Sequence, residues 1–209
     1  MHYDPRKKNH GLPHDPFLSL VVPRPIGWIS TVSRSGVVNL APYSYFSAMC
    51  SRPPHVVFGS GGRKDSQRNA EETGEFVCNL ATFDLREEMN QSSADYGQEE
   101  SEPQAIGLEL APSINVRAPR VARAPAALEC QYIKTIDIPD EQGNPISHSI
   151  VLGRVVGIYI NDQIIRDGQV DLRGLGVLSR LGYTEYGVLD TIFAMARPAS
   201  TQVKSGHGG

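Results

Sequence analysis

Cysteine is scarce in this chain of 209 residues, and its three cysteines cannot all pair with one another. Cys50, Cys78 and Cys130 are far apart and form no C-x-x-C pair, which would suggest a metal site or a redox dithiol. No apolar run approaches the ~20 residues of a membrane span, and no apolar segment of about 7–15 residues follows the basic residues near the N-terminus. We therefore expect a cytoplasmic protein with reduced, buried thiols and no membrane partner.

An excess of positive charge is also missing, because 20 Lys and Arg stand against 23 Asp and Glu, for a net charge of −3. Charges interspersed in this way give no basic surface for a nucleic-acid backbone, so we expect no nucleic-acid partner. The sequence contains no G-x-S-x-G, no H-E-x-x-H and no Cys/His cluster. These absences argue against a catalytic triad and against a metal site.

With 40% apolar and 21% charged residues, the chain has enough apolar surface for a core. Its length predicts one domain with arms and insertions. Residues 1–22 contain three prolines and irregularly spaced histidines, and we interpret them as a solvated N-terminal arm. The small, polar residues 199–209 predict a flexible C-terminal tail.

Four apolar segments predict β-strands. The segments IGWISTV (26–32) and VVNLAPYSYFSAM (37–49) flank the turn formers SRSG and predict a hairpin. Pro42 lacks an amide donor, so the second strand must lie at a sheet edge or bend there. HVVFGS (55–60) and FVCNLA (76–81) predict two further strands.

Two short helices are predicted between and after these strands. Asp65 can cap a helix over 66–73 that stops at Gly74, and Asp84 can cap a second helix over 85–93. Such short helices predict a peripheral position in the fold.

The second half begins with an irregular stretch and continues with long strands. Residues 95–127 are rich in Pro, Ala and acidic groups and predict an irregular excursion over the surface. LECQYIKTIDI (128–138) and HSIVLGRVVGIYI (148–160) flank a loop of turn formers and predict a long hairpin. Long strands with short helices suit a closed or nearly closed barrel better than a layered βαβ sheet.

The loop GSGGRKDSQRN (59–69) has some features of a phosphate site. It is not a Walker A loop, because Asp65 follows Lys64 where Ser or Thr is required, and it lacks the third glycine of G-x-G-x-x-G. Its glycines nevertheless allow close backbone approach, Arg63 and Lys64 supply charge, and Ser66 lies at a helix N-terminus. Phosphate binding and a plain flexible turn before a capped helix both remain open.

The alternating stretch 39–49 places a mixed polar and aromatic set on one strand face: Asn39, Ala41, Tyr43, Tyr45 and Ser47. Such a face would suit a flat heteroaromatic ligand. The other interpretation is an edge strand with its polar side toward water.

Taken in order, several segments carry a resemblance: PRPIGWIST, NLAPYSYFS, SRPPHVVFGS, RKDSQRNAEETGEFVCNLA, ALECQYI, HSIVLGRVVGIYIND and LSRLGYTEYG. Together they resemble the flavin reductase-like, FMN-binding split-barrel family, from about Pro23 to Pro198. The resemblance implies a mainly β fold, a six-stranded antiparallel Greek-key split barrel with short peripheral helices, over residues 23–198. It also implies a homodimer with FMN near the subunit interface.

The resemblance implies a set of flavin-site residues. A wall would be formed by Ser30, Thr31, Asn39, Leu40 and Ala41, and the ring or ribityl chain would contact Ser44, Tyr45 and Phe46. The phosphate end would include Ser60, Gly61, the K-D-[ST] element Lys64, Asp65 and Ser66, and Asn69. The cofactor would be bordered by His148 and by Arg180, Gly182 and Tyr183, the last three from the same or the partner subunit. The family often has Thr at the position of Ser66 and usually has Gly at that of Tyr183, so this phenol could fill part of the pocket.

The resemblance implies an NAD(P)H:flavin oxidoreductase, in which hydride passes from the nicotinamide to flavin N5 and the cofactor carries the chemistry. FMN is the expected cofactor, with FAD as an alternative, and NAD(P)H is the co-substrate. No acid or base is required, although His148 could take part. Reduced flavin could pass to a monooxygenase. One alternative is an electron-carrier flavoprotein with a protein partner, and another is a barrel that has lost flavin and serves as a binding module.

Overall fold

The computed structural model describes residues 1–198. The strands are β1 (Arg24–Pro25), β2 (Gly27–Val32), β3 (Val38–Tyr43), β4 (Phe46–Ser51), β5 (Pro54–Gly61), β6 (Glu75–Leu80), β7 (Leu110–Ala111), β8 (Arg120–Val121), β9 (Ala126–Pro139), β10 (Pro145–Ile160), β11 (Ile165–Arg166), β12 (Gln169–Val170), β13 (Leu178–Arg180) and β14 (Tyr186–Val188). The helices are α1 (Phe17–Leu20), α2 (Asp65–Thr73), α3 (Arg86–Gln91) and α4 (Glu102–Ala105), with 3₁₀ turns at Phe83–Leu85 and Asp162–Ile164.

The main sheet has seven antiparallel strands in the order β3-β2-β6-β9-β10-β5-β4. Its edge strands β3 and β4 are joined by only Ser44 and Tyr45, and within residues 1–198 no ladder pairs them. The sheet curves on itself, since a Cβ added to Gly27 on β2 would lie 2.6 Å from the Phe46 ring on β4. This is a split barrel, as the sequence predicts.

The predicted strand count of six is wrong by one. The stretch 37–49, expected as one strand, breaks at Ser44–Tyr45 into β3 and β4. Pro42 lies on the edge strand β3, opposite Trp28 on β2. The outer edge of β3 has no neighbouring strand, so the missing amide of Pro42 costs no ladder bond on that side. The expected edge position of this proline is thereby confirmed.

The barrel interior is packed with large side chains. Ile29, Phe58, Phe76 and Val151 are fully buried there, and the Phe58 and Phe76 rings meet edge to face with centroids 5.4 Å apart. Gly153 on β10 faces the Phe76 ring so closely that a Cβ would overlap it. The bulky aromatic set therefore depends on a glycine in the neighbouring strand.

A second core lies on the outer face of β2 and β3, where the excursion 95–127 and α3 cover the barrel. Trp28 and Leu40 pack there with Met89 and Val121. The Trp28 indole donates to the Ser92 hydroxyl over 2.9 Å. The excursion is thus packed against the barrel, although the sequence predicts only an irregular surface segment.

Both predicted helix caps are wrong. Lys64 is the N-cap of α2, with extended dihedral angles and no side-chain cap bond, so Asp65 is its first helical residue and pairs with Arg68. Asp84 lies within a 3₁₀ turn, and α3 starts later, after the N-cap Leu85. The end of α2 is as predicted, since Gly74 adopts a left-handed φ of 80°.

Cys78 and Cys130 are buried free thiols, as expected, but Cys50 is exposed on edge strand β4, which corrects the expectation for this residue. Within residues 1–198 no helix is both long and apolar enough to cross a membrane. The predicted arm and barrel boundaries remain predictions, and the predicted tail at 199–209 lies outside the described residues.

Candidate functional site

A groove of about 320 Å³ runs between β3, the start of α2 and the loop that follows α3. Asn39, Ala41 and Tyr43 line one wall, because alternate residues of a strand share a face. The opposite walls are formed by Arg63, Lys64, Asp65, Ser66 and Arg68 from α2 and its approach, and by Ser92–Tyr96, Gln98 and Glu102. The structure therefore brings the first three residues of the predicted strand face together with the predicted K-D-S element, whereas Tyr45 and Ser47 lie beyond the end of β3 and do not line this groove.

The start of α2 gives this groove the character of an anion site. The first helical bond runs from the Arg68 amide to the Lys64 carbonyl, so the preceding amides of the first turn have no acceptor within the helix. Among residues 1–198, Lys64 has no carboxylate within 4 Å, whereas Arg63 pairs with Glu71 over 2.8 Å. Free amides and an unpaired ammonium group at one helix end attract negative charge.

Tyr43 adds a polar group that lacks a partner. Its hydroxyl is buried and makes no hydrogen bond among the described residues. Burial raises the pKa of the Tyr43 phenol, and the nearby hydroxyls of Ser66 and Ser60 partly offset that rise. Tyr43 is therefore a neutral donor at neutral pH, in the wall of the groove.

A buried carboxylate lies in the same groove. Glu102 is 5% exposed and accepts the Leu40 amide over 2.9 Å, and its second oxygen lies 3.0 Å from the Asn39 amide group. Asn39 in turn lies 2.8 Å from the Ser66 hydroxyl. Burial raises the pKa of Glu102, the Leu40 amide opposes this, and the charge of Asp65 adds to it.

Sequence reasoning did not find Glu102. It follows Glu99 and Glu100, which are exposed, in one acidic run. The available signal was Ser101 followed by Pro103 near the first turn of a helix, a pattern typical of helix starts. A pattern of this kind predicts α4 but not the inward direction of one carboxylate.

A larger cavity of about 640 Å³ lies beside the groove. Pro42, Ser44 and Tyr45 line it from the end of β3, and Ser93 lines both the cavity and the groove. The remaining lining residues come from the arm and the C-terminal region: Asp15, Phe17, Leu18, Arg24, Ile26, Arg180, Tyr183 and Tyr186. Groove and cavity therefore meet at Ser93, and Arg180 and Tyr183 line the cavity from the same chain as Ser44 and Tyr45.

The N-terminal arm forms one side of this cavity, which sequence reasoning missed. The buried Arg24 guanidinium donates to the carbonyls of Leu18, Val21 and Leu181 over 2.5, 2.8 and 2.7 Å. A Cβ at Gly182 would overlap Ser19 of α1. These contacts attach the end of the arm to the segment after β13, although Phe17 and residues 20–22 remain exposed, as expected of a solvated arm.

Tyr183 adopts a φ of +52°, which lies in the left-handed region that favours glycine. This conformation gives a physical reason for the glycine that the family usually has there. The Tyr183 ring is half exposed and lies 5.6 Å from the His14 ring of the arm. It therefore forms part of the cavity rim, and Arg180 donates to its carbonyl while stacking on Tyr186.

The remaining predicted site residues do not line either cavity. Ser30, Thr31, Leu40 and Asn69 are buried behind the groove, where the Asn69 amide donates to the Thr31 hydroxyl over 3.1 Å. The others lie elsewhere around the barrel: Phe46 on β4, Ser60 and Gly61 at the end of β5, and the exposed His148 opposite Gly61 on β10. Their predicted contacts with a cofactor remain predictions.

Residues 19–174 match the sequence profile of the flavin reductase like domain family. The chain belongs to this flavin reductase-like family. An uncharacterized member from Halalkalibacterium halodurans is 35% identical and covers 94% of each chain. Another, from Deinococcus radiodurans, is 39% identical over 78% of this chain and 74% of its own.

Solved structures support the flavin reductase-like fold. Nitrilotriacetate monooxygenase component B from Bacillus cereus has a TM-score of 0.85 at 28% identity and covers 93% of this chain and 98% of its own. The 2-nitrobenzoate 2-nitroreductase of Pseudomonas fluorescens has a TM-score of 0.82 at 28% identity, covering 96% and 98%. A flavoredoxin of Desulfovibrio vulgaris shares the fold at 20% identity, with a TM-score of 0.73 and coverage of 83% and 91%.

Proposed function

We propose that this protein is an FMN-binding, NAD(P)H-dependent flavin reductase. One observation carries the proposal: in a flavin reductase-like chain, a groove with the character of an anion site meets a larger aromatic cavity at Ser93. FMN has a phosphate at one end and a flat ring system at the other. A groove for an anion beside a cavity for a ring fits both ends of this molecule.

The groove residues fit a phosphate. Lys64 would supply the charge, and the free amides at the start of α2 would donate to the phosphate oxygens. Ser66 and the unpartnered Tyr43 hydroxyl offer two further donors.

The cavity residues fit a stacked pair of rings. Tyr45, Tyr183 and Phe17 provide flat apolar surfaces, and a volume of about 640 Å³ exceeds the ~300 Å³ of the smallest ligand pockets. When bound, FMN would supply the hydride-accepting centre, and a nicotinamide could occupy the remaining space. The protein's part would be to orient both rings and exclude water, which requires no catalytic acid or base.

A homodimer and a second protein partner belong to the same proposal. Several large apolar side chains are exposed, including Met49 on β4, Ile133 and Ile136 on β9, and Phe193 after β14. Exposed apolar groups of this size often mark protein interfaces. The 28% identity to a monooxygenase component B supports a partner that receives reduced flavin.

The test is an absorbance spectrum of the purified protein with added FMN, followed by anaerobic addition of NADH or NADPH. We expect a flavin spectrum that one or both nicotinamides bleach. Bound flavin that neither nicotinamide reduces would contradict the reductase proposal and favour an electron carrier. A colourless protein that takes up no FMN would contradict the flavin site itself.

A further inference from the structure

Asn39 stands between an acid and a hydroxyl in the wall of the groove. One end of its amide lies 3.0 Å from a Glu102 oxygen, and the other end lies 2.8 Å from the Ser66 oxygen. The other Glu102 oxygen accepts the Leu40 amide over 2.9 Å. All three side chains are at least nine-tenths buried, at 7%, 5% and 1% exposure for Asn39, Glu102 and Ser66.

These positions allow two hydrogen-bond arrangements, and the charge of Glu102 selects between them. When Glu102 is ionised, it only accepts, so the Asn39 NH₂ must face it, and the Asn39 oxygen then accepts the Ser66 proton. When Glu102 is protonated, it donates to the Asn39 oxygen, and the Asn39 NH₂ donates to Ser66. The direction of the Asn39–Ser66 bond is reversed.

The two arrangements differ in what Ser66 offers to a ligand. In the ionised arrangement the Ser66 proton is held by Asn39. In the protonated arrangement that proton is free to point into the groove, beside the unpaired Lys64 and the unpartnered Tyr43 hydroxyl. An anion in the groove gains one donor and loses one nearby negative charge when Glu102 takes up a proton.

We propose that Asn39 relays the protonation of Glu102 to Ser66, so that the groove binds an anionic phosphate group together with one proton from solvent. The proposal deepens the flavin site and rests on it in one respect, namely that the anion is the phosphate of FMN. The proton goes onto Glu102, and no covalent bond changes. Glu102 and Asn39 are thereby positioning residues of the phosphate site.

Charged and titratable groups on every neighbouring element face this relay. They are Arg63, Lys64, Asp65 and Arg68 from α2 and its approach, Tyr43 from β3, and Asp95 and Tyr96 from the loop after α3. Asp65 is engaged by Arg68 and Arg63 by Glu71. Burial, together with the charge of Asp65, raises the pKa of Glu102, so this acid takes up a proton at a higher pH than an exposed carboxyl does.

The sign of the pH dependence follows from linkage. A ligand that prefers protonated Glu102 raises the pKa of Glu102 in the complex above its value in the free protein. The ligand therefore binds most tightly below the free-protein pKa, and its affinity falls as pH rises from that pKa to the higher pKa of Glu102 in the complex. A phosphate monoester also ionises, with a pKa of about 6, which acts in the opposite direction. Only the difference between wild type and a Glu102 variant isolates the relay.

Glu102→Gln imitates the protonated acid. Its oxygen can accept the Leu40 amide and its NH₂ can donate to the Asn39 oxygen. Calorimetry of FMN binding, in buffers of different ionisation enthalpy and over a weakly acidic to weakly basic pH series, measures affinity and proton uptake together. We expect roughly tenfold tighter binding than wild type at the basic end, and less proton uptake than wild type at pH values between the Glu102 pKa of the free protein and that of the complex. Glu99→Gln, an exposed change in the same acidic run, should bind as wild type does.

The relay is separated from simple charge repulsion by a double-mutant cycle with Ser66→Ala. We expect the gain from Glu102→Gln to shrink in the Ser66→Ala background, where only the loss of the negative charge remains. A gain of equal size in both backgrounds would overturn the relay, as would equal proton uptake by wild type and Glu102→Gln. If Glu102→Gln does not fold, carboxylate NMR of the wild type serves instead, and a Glu102 pKa that inorganic phosphate leaves unchanged would overturn the proposal.

Inorganic phosphate also separates this proposal from the flavin function. Phosphate binding with the expected proton uptake, in a protein that binds no FMN, would support the relay and contradict the flavin site. FMN binding with equal proton uptake by wild type and Glu102→Gln would support the flavin site and contradict the relay. Binding of neither ligand would overturn both.

Discussion

At the scale of single residues, Lys64 and Ser66 are the side chains on which the phosphate end of the proposed site depends. The double variant Lys64→Ala, Ser66→Ala should weaken FMN binding roughly 10- to 100-fold, because it removes one exposed charge and one buried donor from the start of α2. The fold should remain intact at some cost in stability, because Lys64 is exposed but loss of the buried Ser66 hydroxyl leaves the Asn39 amide without that partner. Fluorescence titration with FMN measures the change.

Two controls sharpen this prediction. Riboflavin lacks the phosphate, so its affinity should be the same in wild type and the double variant. Lys134→Ala removes an exposed lysine from β9 and should leave FMN binding unchanged. Equal FMN affinity in the double variant and the wild type would contradict the phosphate role.

The sequence predicts these residues but not the acid beside them. Lys64 and Ser66 stand in a glycine-rich loop before a helix, a local pattern with a local physical meaning. Glu102 acts across 62 residues of chain through the Leu40 amide. A contact of that range depends on how the excursion packs over Trp28 and Leu40, and neither periodicity nor spacing encodes that packing.

At the scale of elements, a variant at the contact of the N-terminal arm can show whether the arm forms one side of the larger cavity. Gly182→Ala should push Ser19 and α1 away from the segment after β13, because a Cβ would overlap Ser19. Hydrogen exchange of residues 17–22 should become about tenfold faster, while exchange of the barrel strands should not change. Gly187→Ala is the matched control, since its Cβ would meet only the ends of side chains, at 3.2 Å from the Ser179 hydroxyl and 3.4 and 3.6 Å from the Leu181 methyl groups.

Unchanged exchange of residues 17–22 in Gly182→Ala would show that the arm is not held by this contact. Nicotinamide affinity gives a second measurement, because the arm supplies Phe17 and Leu18 to the cavity wall. We expect the Michaelis constant for the nicotinamide to rise more than the turnover number falls, since the arm shapes a binding wall and touches no reacting atom in this proposal.

The elements themselves were largely predictable. The hairpin of β2 and β3, the helix α2 with its end at Gly74, and the long hairpin of β9 and β10 follow from strand composition and turn residues. The break between β3 and β4 was not predicted, because Ser44 and Tyr45 continue the polar and aromatic alternation. The chain must bend there for the sheet to close into a barrel, and this requirement depends on the arrangement of all the strands and not on the local sequence.

At the scale of the whole molecule, the proposed homodimer accounts for apolar side chains that one chain leaves uncovered. Phe193 is 76% exposed and lies in the segment after β14, beyond the barrel. In light scattering during size-exclusion chromatography we expect a mass of twice 22.8 kDa for the wild type. Phe193→Ser should raise the dissociation constant of the dimer about tenfold or more, because burying a phenylalanine contributes about 1.5–3 kcal/mol.

Ile114→Ser is the matched control, since Ile114 is 92% exposed on the excursion and its removal should not change the mass.

The predicted position of FMN near the subunit interface adds a linked expectation. A ligand that contacts both subunits binds the dimer more tightly than the monomer, so FMN should lower the dissociation constant of the dimer, and Phe193→Ser should release FMN on dilution. A wild-type monomer would contradict the dimer. A dimer whose dissociation constant is the same with and without FMN would keep the assembly but move the flavin site away from its interface.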